Sequence, residues 1–214
     1  MPTDSAEGLS LLADERLEAE LQWWRDWLTP ATLPRLLAIY GMRYLTFWFM
    51  EFQDLGRVCD IGSGPVSAAW CAVSFDQLIC IDPNARDYRP IAGNILGRRL
   101  ALDQAILFDA SDLEDASFDT VLCLNTLDHV EDQTAVLEAC HRLVRPSGKV
   151  LLWVHLREQD PGDGLHTALT ENGVIEMAQA AGLRVEASMV GYCETQRGGQ
   201  VVSDLALWGS FRRQ

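Results

Sequence analysis

The stretch VCDIGSGP, residues 58–65, decides how this chain is read. Small and apolar residues surround a single acid, Asp60, and then a turn with Gly62, Gly64 and Pro65 follows at once. An unpaired carboxylate at the inner end of a buried strand costs several kcal/mol by order of magnitude. Asp60 therefore needs a partner, and the expectation is that this partner comes from outside the protein.

Working outward, short apolar runs of strand length recur: RVCDI at 57–61, QLICI at 77–81, QAILFD at 104–109, FDTVLCLN at 118–125 and KVLLWVHL at 149–156. They are continuous where a half-exposed strand would alternate, as strands covered on both faces must be. Helix punctuation lies between them. Asp132 heads AVLEACHRLVR, which stops at Pro146 and Gly148, and Thr170 heads VIEMAQAA, which stops at Gly182. Strand, helix, strand in this order implies right-handed crossovers and a parallel sheet. LRVEASMVGY and QVVSDLALWGSF face each other across ETQRGG with no room for a helix, which predicts a β-hairpin and an antiparallel strand. The Pro- and Gly-rich segment REQDPGDGLH, 157–166, reads as a surface loop after the fifth strand.

Ligands of an open parallel sheet bind outside the carboxyl ends of its strands. Gly62 and Gly64 let the backbone approach a ligand there, and a helix expected from about Pro65 aims its free amides at the same space. Such a turn alone suits many nucleotides. Asp60 narrows the choice, because a pyrophosphate on this turn meets like charge, whereas S-adenosylmethionine brings an ammonium and a sulfonium. Three further strand ends agree. Asp82 in ICIDP lies 22 residues after Asp60, near the spacing of about 20 at which an acid takes the ribose hydroxyls. Asp109 in LFDAS is placed to accept from an adenine amino group, and Asn125 in LCLNTLDHV lies beside the transferable methyl. Each also has a plain alternative as a turn or cap residue.

With these positions in hand, residues 57 to about 182 resemble the class I S-adenosylmethionine-dependent methyltransferases of the small-molecule type. The likeness rests on VCDIGSGP, ICIDP, LFDAS and SFDTVLCLNTLDHVEDQTAVLEACHRLVRPSGKVLL. It implies an α/β, Rossmann-like, doubly wound sheet of seven strands, parallel except for an antiparallel strand 7, with helices on both faces. It also implies cofactor contacts from Asp60, Gly62, Ser63, Gly64, Asp82, Pro83, Asp109, Ala110, Asn125, Thr126 and His129. Two departures stand out. Val66 replaces a third glycine in the first turn, and Pro146-Ser147-Gly148 replaces Pro-Gly-Gly in a later one.

Methyl transfer from a sulfonium is mainly a matter of alignment, with a general base needed only where the acceptor must lose a proton. His166, on the loop after strand five, and His129 are the candidate catalytic residues. The plainer reading of His129 is a cofactor-pocket or packing residue, and that of His166 a structural loop residue. His141 and His155 read as structural. No Cys and His spacing fits a metal site, so none is expected. A nicotinamide-dependent oxidoreductase is the alternative enzyme reading, and a non-catalytic module binding a protein partner is the alternative outside enzymes.

The bulk numbers agree. The chain has 214 residues, 48% hydrophobic and 22% charged, with a net charge of -14, which disfavours nucleic acid and anionic lipid and suits a small-molecule substrate. Six scattered cysteines without a CxxC pair read as reduced core residues in a cytoplasmic protein. The start, MPTDSAEG, lacks the features of a signal peptide. The longest apolar run, LLAIYGMRYLTFWFM at 36–50, carries Arg43 and falls short of the roughly 20 residues of a membrane span. The expected organisation is an amino-terminal helical cap or lid over 1–52 and a methyltransferase domain over 53–214. The Trp-rich amino-terminal helices have three readings: core against the sheet, a lid carrying Trp24, Trp27, Tyr40 or Tyr44, or a homodimer contact.

Overall fold

In the computed structural model the described residues are 10–45, 54–107, 109–159, 166–197 and 200–214. The expectations for MPTDSAEG, for the end of the apolar run beyond residue 45, for Phe108, for the middle of the 157–166 loop and for the hairpin tip at 198–199 lie outside them. Two helices, α1 (Ser10–Trp27) and α2 (Leu33–Tyr40), precede strand β1 (Arg57–Ile61). Then come β2 (Gln77–Ile81), α3 (Ala85–Asp103), β3 (Gln104–Leu107), β4 (Phe118–Leu124), α4 (Gln133–Leu143), β5 (Val144–His155), α5 (Glu171–Ala180), β6 (Leu183–Arg197) and β7 (Gln200–Arg213). They form one seven-stranded sheet in the order β3-β2-β1-β4-β5-β7-β6, in which β7 runs antiparallel to both β5 and β6. The sheet reverses its winding between β1 and β4, the place where such folds open a crevice.

Both faces are covered, which is why the strand runs do not alternate. One face carries Val58, Leu78, Leu122, Leu151 and Trp153 against α2 and α3, and the other carries Cys59, Val121, Cys123, Val150 and Leu152 against α4 and α5. The two helix starts read from sequence are real caps. The Asp132 carboxylate accepts from the Ala135 amide at 2.9 Å, and the Thr170 hydroxyl accepts from the Gly173 amide at 3.2 Å. Among the described residues no helix is long and apolar enough to cross a membrane. All six cysteines are free thiols.

One expectation fails here. No full helix follows the glycine turn, since the crossover from β1 to β2 contains only a 3₁₀ helix, Ala68–Cys71, capped by the Ser67 hydroxyl. Fifteen residues separate the two strands, too few for a helix as long as the sheet. The vacated face is filled from the amino terminus. Leu36, Tyr40 and Tyr44 are buried there with Val66, Ala68 and Ala69 in one cluster, Tyr44 lies 4.8 Å from Trp153 ring to ring, and the Cys71 thiol reaches the Leu37 carbonyl. The backbone groups that a helix would have bonded internally are met by one side chain. Gln104 Oε1 accepts from the Ser67 amide and from Trp70 Nε1, and its Nε2 donates to the Pro65 carbonyl.

The α2 segment is thus core by its packing. Leu36→Ala removes a side chain that is 3% exposed, and the expected loss is about 2–4 kcal/mol of unfolding free energy in a denaturant titration. A loss under about 0.5 kcal/mol would show that α2 is a loosely held flap.

Candidate functional site

The site is built at the carboxyl ends of β1, β2 and β4. Gly62 and Gly64 both adopt positive φ, +72° and +61°, where a side chain is strained. A Cβ at Gly62 would also collide with the Thr126 side chain, whose hydroxyl donates to the Ile61 carbonyl at 2.9 Å and ties the end of β4 to the end of β1. Ser63 is buried and donates to the Gly64 carbonyl at 2.8 Å. Asn125 also takes a positive φ, 59°, as it leaves β4. Its side-chain amide stands 3.3 Å from His129 Nε2.

Asp60 is 2% exposed and has a protein partner, contrary to expectation. Ser67 Oγ donates to its Oδ2 at 2.5 Å, and the Ala68 amide also bonds the carboxylate. The acid therefore clamps the outgoing limb of the glycine turn. Ser67, seven residues on, and Gln104 are the residues that sequence reasoning missed; the long apolar run around Ser67 concealed the first, and a lone glutamine at a strand start gives no signal for the second.

Asp82 does sit at the β2 end as expected. Its Oδ2 accepts from the Gly64 amide at 3.0 Å and its Oδ1 from the Asn84 amide at 2.9 Å, so it fastens the turn from the other side. Pro83 beside it is exposed. Asp109 is exposed; the Ser111 side chain first and then the Ser111 amide, which donates to it at 2.7 Å, hold its carboxyl below the usual range, and this fits the plain turn-capping alternative. Ala110 is half-buried, its carbonyl bonded by Arg142.

On the β4 and β5 side, a short 3₁₀ turn, Leu127–His129, presents His129. The Thr167 amide donates to the Asp128 carbonyl at 2.8 Å, and this brings His166 beside His129, with ring centroids 4.6 Å apart. Asp128 itself is fully buried and bonded by Arg157 Nη1 at 2.8 Å. Neither Asp128 nor Arg157 was singled out from sequence, because the neighbouring histidine drew the reading of LDHV. His155 is buried at the end of β5, where burial holds its pKa down at about 4.

Helix α1 lies across the glycine turn. The Trp24 ring approaches the site of a Gly64 Cβ to 3.1 Å, Trp24 Nε1 donates to Glu20 at 3.2 Å, and Asn84 Nδ2 donates to the Leu17 carbonyl at 3.0 Å.

A family model described as "Methyltransferase domain" matches residues 59–152. The match spans 94 of the chain's 214 residues, and over them the chain is similar to that family. Over 35 residues it is 57% identical to the ubiquinone biosynthesis O-methyltransferase of Pseudomonas paraeruginosa, a match covering 16% of this chain and 15% of that protein. A SAM-dependent methyltransferase of Leishmania major superposes with TM-score 0.64 at 15% identity, covering 93% of this chain and 85% of that one. The [4+2]-cyclase SpnF superposes with TM-score 0.62 at 16% identity, covering 84% and 80%. Identities this low show the fold alone, and the fold hosts more than one chemistry.

Burial pushes both turn acids up. Asp60 rises to about 7 through desolvation, opposed by the Ser67 hydrogen bond and reinforced by Asp82. Asp82 rises to about 7 through desolvation and the nearby Glu20. The folded state then holds more protons than the unfolded chain, whose carboxyls titrate near 3.9. The stability this confers is full below about pH 4 and is lost as pH rises through about 7. The midpoint of thermal unfolding should fall from pH 6 to pH 8, and Asp60→Asn should flatten that slope. A midpoint that rises over this interval would contradict the assignment.

Proposed function

We propose that the chain is an S-adenosylmethionine-dependent methyltransferase acting on a small molecule. The observation that carries this is the pair of buried acids, Asp60 and Asp82, holding the Gly62–Gly64 turn from both sides at the point where the sheet reverses its winding. The fit to the cosubstrate is chemical. Two acids poised to ionise at one turn welcome a cation, and each oxygen of Asp82 retains acceptor capacity beyond its one amide bond. Bound there, S-adenosylmethionine supplies an electrophilic methyl group. Asp82 would accept from the ribose hydroxyls, while Gly62, Ser63 and Gly64 would meet the methionine end. Asp60 acts through the turn it clamps. Asn125, Thr126 and His129 bound the space toward the acceptor, with Ala110, Pro83 and Asp109 at the adenine side.

On the acceptor side, His166 and His129 are placed to position a substrate hydroxyl or take its proton. The short likeness to O-methyltransferases favours an oxygen acceptor. The net charge of -14 favours an acceptor without extended negative charge. Helix α1, with Trp24 over Gly64, is the cover of the crevice in this reading, and the 1–52 segment divides into a cover (α1) and a core piece (α2).

Titration calorimetry tests this. S-adenosylmethionine should bind and NADH should not. Asp82→Ala removes acceptors worth about 1.5–3 kcal/mol and should weaken binding about 10- to 100-fold. Unchanged affinity would sink the pocket. A second reading, a methyltransferase fold kept for binding a protein, draws on the Trp24 ring resting over the turn. Absence of any heat with S-adenosylmethionine would favour it.

A further inference from the structure

The geometry points to a divalent transition-metal site formed by Asp128, His129 and His166, with Zn²⁺ or Co²⁺ as the fitting ions. These three residues each offer one ligand atom, and the three atoms lie within 4.8 Å of one another. They come from two loops that the Thr167 amide and the Asp128 carbonyl fasten together.

A second observation points to a ligand. Asp128 is fully buried, and its Oδ1 has no hydrogen-bond partner. A buried carboxylate oxygen left without a donor destabilises the fold, and a ligand would relieve that cost. His129 Nε2 stands 3.9 Å from it, beyond hydrogen-bond reach. The other oxygen, Oδ2, is held by Arg157 Nη1 at 2.8 Å, so the carboxylate is oriented with Oδ1 directed to the histidines. A ligating carboxylate whose second oxygen is fixed by a neighbour is the usual arrangement around bound metals.

Two imidazoles and one carboxylate suit Zn²⁺, Co²⁺ and related ions better than Mg²⁺ or Ca²⁺. Protein ligands stand about 2.0–2.2 Å from Zn²⁺, which separates neighbouring donors by about 3.4 Å. Closing from 4.8 Å requires movement of about 1 Å or more, available to two half-buried histidines on loops. The Asn125 amide, 3.3 Å from His129 Nε2, would give way or turn its oxygen to the ion. Three protein ligands leave a position open, as in catalytic rather than structural sites. That open position would hold an acceptor hydroxyl and lower its pKa; this use rests on the proposed function, whereas the site itself does not.

The test uses the full chain and Co²⁺ alone. Expected is one Co²⁺ per chain, with a visible d–d spectrum of nitrogen and oxygen ligation, displaced by Zn²⁺. His129→Ala and His166→Ala should each weaken binding about tenfold or more, and Cys71→Ser, at the half-exposed thiol, should leave it unchanged. His166→Ala carries the test if replacing other members of the cluster impairs folding. No Co²⁺ binding, or binding that both histidine variants retain, overturns the site. S-adenosylmethionine binding is measured on the same preparations, so loss of the metal site alone leaves the proposed function standing.

Discussion

The hydrogen bond from Ser67 to Asp60 is the constraint on which the rest of the site depends. The turn after β1 contains two residues in left-handed conformations and no following helix to anchor it. Its far limb is instead fixed to a strand residue through Ser67, to β3 through Gln104 and to β2 through Asp82. Each bond is buried, so each is stronger than its surface equivalent and costly to leave unmade. The two acids that do this are also the ones with the least favourable ionisation in the molecule's crevice. Order in the turn and the raised pKa values of its two acids therefore have one cause, their burial.

The shortened crossover accounts for the amino-terminal sequence. A run such as LLAIYGMRYL would be a liability on a surface, and it is needed here because the sheet face above β1 and β4 lacks its own helix. Leu36, Tyr40 and Tyr44 supply that cover, in one cluster with Trp153 and Trp208. Trp208 Nε1 also donates to the Arg43 carbonyl at 2.7 Å, tying the same segment to β7.

Much of this was legible in the sequence, for physical reasons. β1 and β2 fall on the residues read from the apolar runs because burial on both faces leaves no room for polar residues. Asp132 and Thr170 cap as expected because a helix start needs a short acceptor at that position. What misled was length: VSAAWCAVS has helical composition, and only the distance between β1 and β2 shows that a helix cannot fit. Asp60 was rightly marked as an acid needing a partner, but a serine seven residues away leaves no periodic signal. Asp128 was hidden by its neighbour, since adjacent positions on a loop give no clue to which one turns inward.

The energetics also divide the two amino-terminal helices. The polar ties of α1 are weak: the Arg25–Asp87 pair is exposed and worth under about 1 kcal/mol, and the Asn84 bond to Leu17 adds about 1. Its buried Leu21 and Trp24, with Leu28 just past its end, contribute about 1.5–3 kcal/mol each. Lifting all of α1 would thus cost several kcal/mol and leave the open form sparsely populated. A change of the Trp24 side chain alone gives up its own burial and one bond to Glu20 but leaves Leu21 and Leu28 in place. Opening of the crevice over Gly64 is accordingly cheaper by movement of one ring than by movement of the helix.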